Sequence, residues 1–267
     1  MSRMSCVFTL GIVLTALTVA TTLEIQPAII GGNAVDIAKY PYLVSIRYRL
    51  EPNIDPYWHK CAGVILTETA VLTAAQCLRE ILTERVMIAV AANQRKGNEG
   101  KLYPASKWVE HPKFSTYTAD YDIGLIFVDL PFEFHGSRTM ARSISIRAER
   151  PAVNRLATVA GWGYREEFGP SSNRLEETKV PIVSQAECVD IYGAGEVSER
   201  MICAGNVRTG GHDACQGDTG GPLVYEGELV GLVSWGRGCA RPGYPSVYTY
   251  VASLKSWIAE ELQKAQV

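Results

Sequence analysis

The densest chemistry in the chain lies in His212-Asp213-Ala214-Cys215-Gln216-Gly217-Asp218-Thr219-Gly220-Gly221-Pro222, where a hydroxyl sits in a glycine-rich loop close to two carboxylates. Two earlier runs, Thr73-Ala74-Ala75-Gln76-Cys77 and Asp120-Tyr121-Asp122-Ile123-Gly124-Leu125, add an amide and further carboxylates. A hydroxyl is a poor nucleophile at neutral pH unless an adjacent base takes its proton, and imidazole suits that task because its pKa of about 6.5 lies near working pH. Threonine attacks in some hydrolases, but there it relies on a base, and its extra methyl restricts the side-chain torsion. The amide of Gln76 has a carbonyl acceptor and two N–H donors and does not titrate. It can hydrogen-bond a hydroxyl without ever accepting the proton.

These runs resemble the active-site signatures of the chymotrypsin-like (S1) serine proteases, the trypsin branch in particular, and Asp213 to Pro222 and Gly161-Trp162-Gly163-Tyr164 are similar to insect trypsins. In that family a serine oxygen attacks a carbonyl, imidazole takes its proton and a buried aspartate orients the imidazole. The resemblance puts Thr219 at the nucleophile's position, Gln76 at the base's and Asp122 at the orienting aspartate's, so two of three catalytic side chains are replaced. In a related triad, loss of base or nucleophile costs about 10⁶-fold, leaving roughly 10³ to 10⁴ over water from the oxyanion hole and binding. The expectation is therefore a protease fold without its chemistry. Of the four histidines, His59 and His111 stand where the family often carries a structural histidine, and His135 and His212 read as loop residues. None occupies the base motif.

The same resemblance assigns the surroundings. Gly217 and Thr219 would supply the oxyanion-hole N–H groups. Asp213 matches the carboxylate that makes trypsin-like enzymes prefer lysine or arginine, and Ser234-Trp235-Gly236 matches the strand lining substrate and pocket wall. Ser246 stands where the family has a glycine deep in the pocket; its hydroxyl is expected to narrow the space and bond Asp213, weakening basic recognition. Ala62 replaces the first glycine of the usual Cys-Gly-Gly. Ile29-Ile30-Gly31-Gly32 resembles the mature N-terminus, whose freed ammonium pairs with Asp218. Ala28 precedes it, however, and offers a basic-specific activator nothing to recognise. Either a protease preferring small residues cuts there or the prosegment stays.

Positioning these groups requires a scaffold, and strand-length apolar runs recur at Tyr42 to Tyr48, Val64 to Leu66, Val86 to Val90, Ile123 to Val128, Ala157 to Ala160, Leu229 to Val233 and Val247 to Val251. Short strands separated by glycine, proline and polar turns argue for an all-β sandwich or barrel. The resemblance, covering Ile29 to about Ala259, narrows this to two packed six-stranded antiparallel β-barrels, trypsin-like. Val251, Leu254, Ile258 and Leu262 recur at helical spacing, predicting a C-terminal α-helix docked on the second barrel.

Arg3 followed by an apolar stretch from Cys6 to Ala20 predicts a signal peptide over residues 1–20, a short prosegment over 21–28 and one domain over 29–267. Removing Cys6 leaves six cysteines, an even number suited to an oxidising compartment, with about fifteen possible connectivities. The family resemblance implies Cys61 with Cys77, Cys188 with Cys203 and Cys215 with Cys239. The cysteine and histidine spacings lack paired metal-ligand elements, so no metal or other cofactor is expected. A formal net charge of -2 gives no reason to expect nucleic acid, and no membrane association is expected once the leader is removed.

The leading expectation is a secreted, catalytically inactive protease homologue that binds extracellular proteins such as a protease, an inhibitor or a protease substrate. Alternatives are a weak trypsin-like endopeptidase using Thr219 and a secreted scaffold with no specific partner.

Overall fold

The computed structural model describes residues 29–49, 57–97, 99–134, 141–169 and 172–265; the expected signal peptide and prosegment, with Cys6 and Ala28, and His135 lie outside the described residues. After a two-residue strand β1 (Asn33–Ala34) come β2 (Leu43–Tyr48), β3 (Trp58–Thr67), β4 (Ala70–Thr73), β5 (Val86–Val90), β6 (Lys101–Glu110) and β7 (Gly124–Val128). The last six form a closed barrel in the order β2-β3-β4-β7-β6-β5.

Alternate side chains of a strand point to opposite faces, and β7 uses both faces. Ile126 and Val128 fill the first barrel, whereas Leu125 and Phe127 point outward into a second apolar cluster. In β3 and β4, Ile65 and Val71 likewise face inward while Val64 and Leu72 face out. A strand buried on both sides reads as a continuous apolar run, which is why the segment beginning at Ile123 is so plain in the sequence.

The second sheet contains β8 (Leu156–Gly161), β9 (Glu176–Pro181), β10 (Met201–Ala204), β11 (Pro222–Tyr225), β12 (Glu228–Trp235) and β13 (Ser246–Tyr250), ordered β1-β9-β8-β11-β12-β13-β10. It therefore has seven strands because β1 is added to the outer side of β9. The residues just after β9 meet β10 through the isolated bridge Ile182↔Ala204, flanked by Val183 N–H to Cys203 O at 2.9 Å and Gly205 N–H to Pro181 O at 2.9 Å. The six strands from β8 to β13 thus wrap round as the expected second barrel, closed by a bridge rather than a full ladder.

Helix α1 (Gln185–Tyr192) starts at Ser184, whose hydroxyl accepts the Glu187 N–H at 3.1 Å. The C-terminal segment departs from expectation in two ways. Val251–Leu254 is a 3-10 turn, and the α-helix proper, α2, runs Lys255–Lys264. Nor does it dock on the second barrel alone: Val251, Leu254 and Ile258 pack with Val64, Leu72 and Leu125 of the first barrel as well as Leu229 and Leu232 of the second. The outward faces of β3, β4 and β7 leave an apolar seam between the barrels, and the helix covers it.

Three disulfides, Cys61–Cys77, Cys188–Cys203 and Cys215–Cys239, span 16, 15 and 24 residues. Loops of that size correspond to roughly 3 kcal/mol each in the chain-entropy model.

Candidate active site

Gln76 sits in the 3-10 turn Ala75–Cys77, tied to β3 by the Cys61–Cys77 bridge, so its side chain enters the cleft from the first barrel. Opposite it, Tyr121 adopts a left-handed backbone (φ 56°) that turns the chain before Asp122. The turn is held by Asp120, which pairs with Arg200 at 2.6 Å, and by the Arg200 guanidinium 4.3 Å over the Tyr121 ring.

Asp122 is fully buried and accepts hydrogen bonds from Gln76 N–H on Oδ1 at 3.0 Å, from Gln76 Nε2 and Ser234 Oγ on Oδ2, each at 2.6 Å, and from the Ala75 N–H. Its own carbonyl accepts from Thr249 Oγ1 at 2.7 Å. Burial outweighs these donors and raises its carboxyl pKa. Because Ser234 and Thr249 belong to β12 and β13, Asp122 joins the two barrels.

The second N–H of the Gln76 amide goes to Ser234 O at 2.9 Å. Both amide hydrogens are thus committed, and what remains is a carbonyl oxygen that accepts a hydrogen bond but does not hold a proton at working pH. Thr219 is half-buried in the turn ahead of β11, its carbonyl accepting the Ala62 N–H at 2.9 Å. Among the described residues no imidazole is hydrogen-bonded to its hydroxyl.

His59 is committed elsewhere. It is buried, with Nδ1 2.8 Å from Ser45 Oγ, Nε2 2.7 Å from Gly217 O and its ring centre 5.5 Å from that of Trp162. Burial drives its pKa down to about 3, so the ring is neutral. Arg47 Nε donates to Ser45 Oγ at 3.1 Å, leaving that hydroxyl to donate to Nδ1 and making Nε2–H the donor to Gly217 O. This chain fixes the peptide after Gly217, whose φ of 100° favours glycine. The N–H groups of Gly217 and Thr219 have no internal acceptor among the described residues. His111 is also structural, stacked 4.5 Å from Tyr121, and His212 meets Thr178 Oγ1 at 2.9 Å.

Beside Thr219 lies a cavity of about 210 Å³ lined by Ala214, Cys215, Thr219, Trp235, Gly236 and Ser246. Asp213 is buried, accepting from Ala214 N–H at 2.9 Å and Ala240 N–H at 2.8 Å and from the Ser246 hydroxyl. Its carboxyl is pushed up to about 6 by burial. A methyl added at Gly236 would lie 3.5 Å from Ser246 Oγ, which marks how far that hydroxyl reaches toward the opposite wall. Next to Gln76 the cleft widens into a cavity of about 580 Å³ lined in part by Lys60, Arg79, Phe114, Tyr117 and Trp235.

Ile29 is fully buried, and Ile30 pairs with Asp213 through Asp213 N–H to Ile30 O at 3.2 Å. Asp218, also fully buried, accepts Gly163 N–H at 2.8 Å and Cys215 N–H at 3.0 Å, and burial pushes it up to about 6. One acidic residue here escaped sequence reasoning: Glu176, in β9, is 1% exposed. Nothing in the adjacent residues Glu176-Glu177 distinguishes the buried member of the pair in the sequence.

Two barrels with an aspartate-centred cleft between them define a chymotrypsin-like protein. The chain belongs to the trypsin family, whose family model, Trypsin, matches residues 29–258. It is 42% identical over 234 residues to Trypsin eta of Drosophila erecta, covering 88% of this chain and 90% of that protein. It is 38% identical to Trypsin zeta of Drosophila melanogaster, covering 86% and 84%, and 36% identical to the Vitellin-degrading protease of Bombyx mori, covering 88% and 85%.

Proposed function

We propose that this protein is a secreted trypsin-family homologue that does not hydrolyse peptide bonds and acts by binding extracellular proteins through its cleft. The observation that carries the reading is the Gln76 amide at the base position, with Nε2 donating to Asp122 Oδ2 at 2.6 Å and to Ser234 O at 2.9 Å. It reproduces the N–H that an orienting aspartate requires and omits the basic nitrogen that a nucleophile requires. Among the described residues no base is hydrogen-bonded to the Thr219 hydroxyl, and the Ser246 hydroxyl bonds Asp213. The three disulfides suit an oxidising compartment, and the Lys60, Arg79, Phe114, Tyr117 and Trp235 lining offers cationic and aromatic contacts to a protein partner.

A weak trypsin-like endopeptidase is the second reading, favoured by the free Gly217 and Thr219 N–H groups and by relatives named as trypsins. Turnover of lysyl and arginyl substrates separates the two, measured on protein whose N-terminus has been sequenced. No rate above background is expected from the parent, and the Gln76→His, Thr219→Ser double variant is expected to acquire one. Parent turnover that vanishes in Thr219→Ala would defeat the noncatalytic reading. Capture of a stoichiometric partner from the native secretion, lost when the cleft residues Tyr117 and Trp235 are both replaced by alanine, tests the binding half.

A further inference from the structure

We propose that Glu176 is a second receptor, alongside Asp218, for the α-ammonium group that cleavage before Ile29 would create. The site is built before any cut. Glu176 is 1% exposed, its Oε2 has no hydrogen-bond partner among the described residues, and the Ile29 N–H already donates to its carboxyl group. Arg165, part-exposed, forms an ion pair with it at 3.6 Å from Oε1, too distant for a hydrogen bond. The charge of Asp218, on the nucleophile loop, acts on Glu176, and that of Arg95 acts on Asp218. On β9 itself, Glu177 is engaged elsewhere, by Lys39 at 2.6 Å and by Tyr40. His212 lies across Gly31 from the other side.

A buried carboxylate with an empty oxygen is costly to leave unpaired. Hydrolysis of the Ala28–Ile29 amide by an extracellular protease consumes one water, breaks the C–N bond, leaves a carboxylate on Ala28 and turns the Ile29 nitrogen into an ammonium. A nitrogen that offered one N–H then offers three and a full positive charge. Both carboxylates then gain a hydrogen-bonding cation, which for Glu176 adds to the longer Arg165 pairing. The assignment holds whether or not Thr219 is ever acylated.

Stability gives the sign. In the uncut chain Glu176 is raised to about 7 by burial, and Asp218 to about 6. Each therefore contributes stability that is present below its unfolded pKa and lost as pH rises through the folded value. An ammonium between them lowers both folded values and reduces that loss, so the stability gap between cut and uncut protein should widen from about pH 5 to about pH 7.

The test replaces residues 24–28 by an enteropeptidase sequence so that the whole chain can be cut before Ile29. Thermal midpoints of cut and uncut protein are followed across pH, and labelling of the Ile29 amine by an acetylating reagent is read by mass spectrometry. The parent should show the widening gap and a protected amine. Glu176→Gln should shrink the gap to the part due to Asp218 and speed labelling about tenfold, the change that accompanies one pKa unit. Glu176→Asp, keeping the charge, should fall between them. Equal labelling and an equal gap in parent and Glu176→Gln would overturn the assignment. So would an uncut Glu176→Gln that unfolds at pH 7.5, since it would mean that the carboxylate is already satisfied without an ammonium.

Discussion

Gln76 meets Asp122 with an amide N–H, so the carboxylate has its donor although the amide carries no basic nitrogen. Replacing Gln76 by leucine should remove one charge-assisted bond from a buried group and cost about 1–3 kcal/mol, read by chemical denaturation. Ser246 is the second residue whose effect can be isolated. Ser246→Gly should deepen the pocket and tighten benzamidine, a flat cationic probe, by about tenfold or roughly 1.4 kcal/mol, measured by calorimetry. Burial pushes Asp213 up to about 6 while the Ser246 hydroxyl holds it down, so benzamidine affinity of the variant should begin to fall on acidification at a pH above about 6. The positions of Gln76, Asp122 and Thr219 were legible because each lies in a run of recognisable neighbours. Glu176 was not, because its burial is imposed by Ile29 and the nucleophile loop, which arrive from distant parts of the chain.

Among the elements, β7 announced itself through unbroken apolarity, while β6 (Lys101–Glu110) did not, because polar and half-exposed residues interrupt it. Helix α1 was missed for a related reason: only Cys188 and Tyr192 of its eight residues are buried, so it lacks an apolar stripe. Its sequence signal was Ser184 three residues ahead of Glu187, a pairing typical of helix starts. Ser184→Ala should cost about 1 kcal/mol through loss of that cap. The periodicity of α2 revealed that one face is buried but not what buries it, since the seam is made jointly by outward faces of β3, β4, β7 and β12. Ile258→Ala, at that seam, should cost about 2–5 kcal/mol, and a thermal melt that also tracks the first barrel would show the damage spreading beyond the helix.

For the molecule as a whole, the buried carboxylates dominate the response to pH. Asp122, Asp213, Asp218 and Glu176 all have raised folded pKa values, whereas His59 and His111 are lowered. The carboxylates lose stability as pH rises from about 4 to about 7, and the histidines gain it between their folded values and about 6.5. Four groups oppose two, and above pH 6.5 only the carboxylate side still changes. The uncut protein should therefore melt at a lower temperature at pH 7.5 than at pH 5, a direction that scanning calorimetry at constant ionic strength would check.

Asp122 fastens one barrel to the other through Ser234 and Thr249. With or without catalysis this aspartate acts as a rivet, and losing it would loosen the two walls of the cleft. An aspartate here is thus accounted for by architecture alone, and its presence is no measure of catalysis.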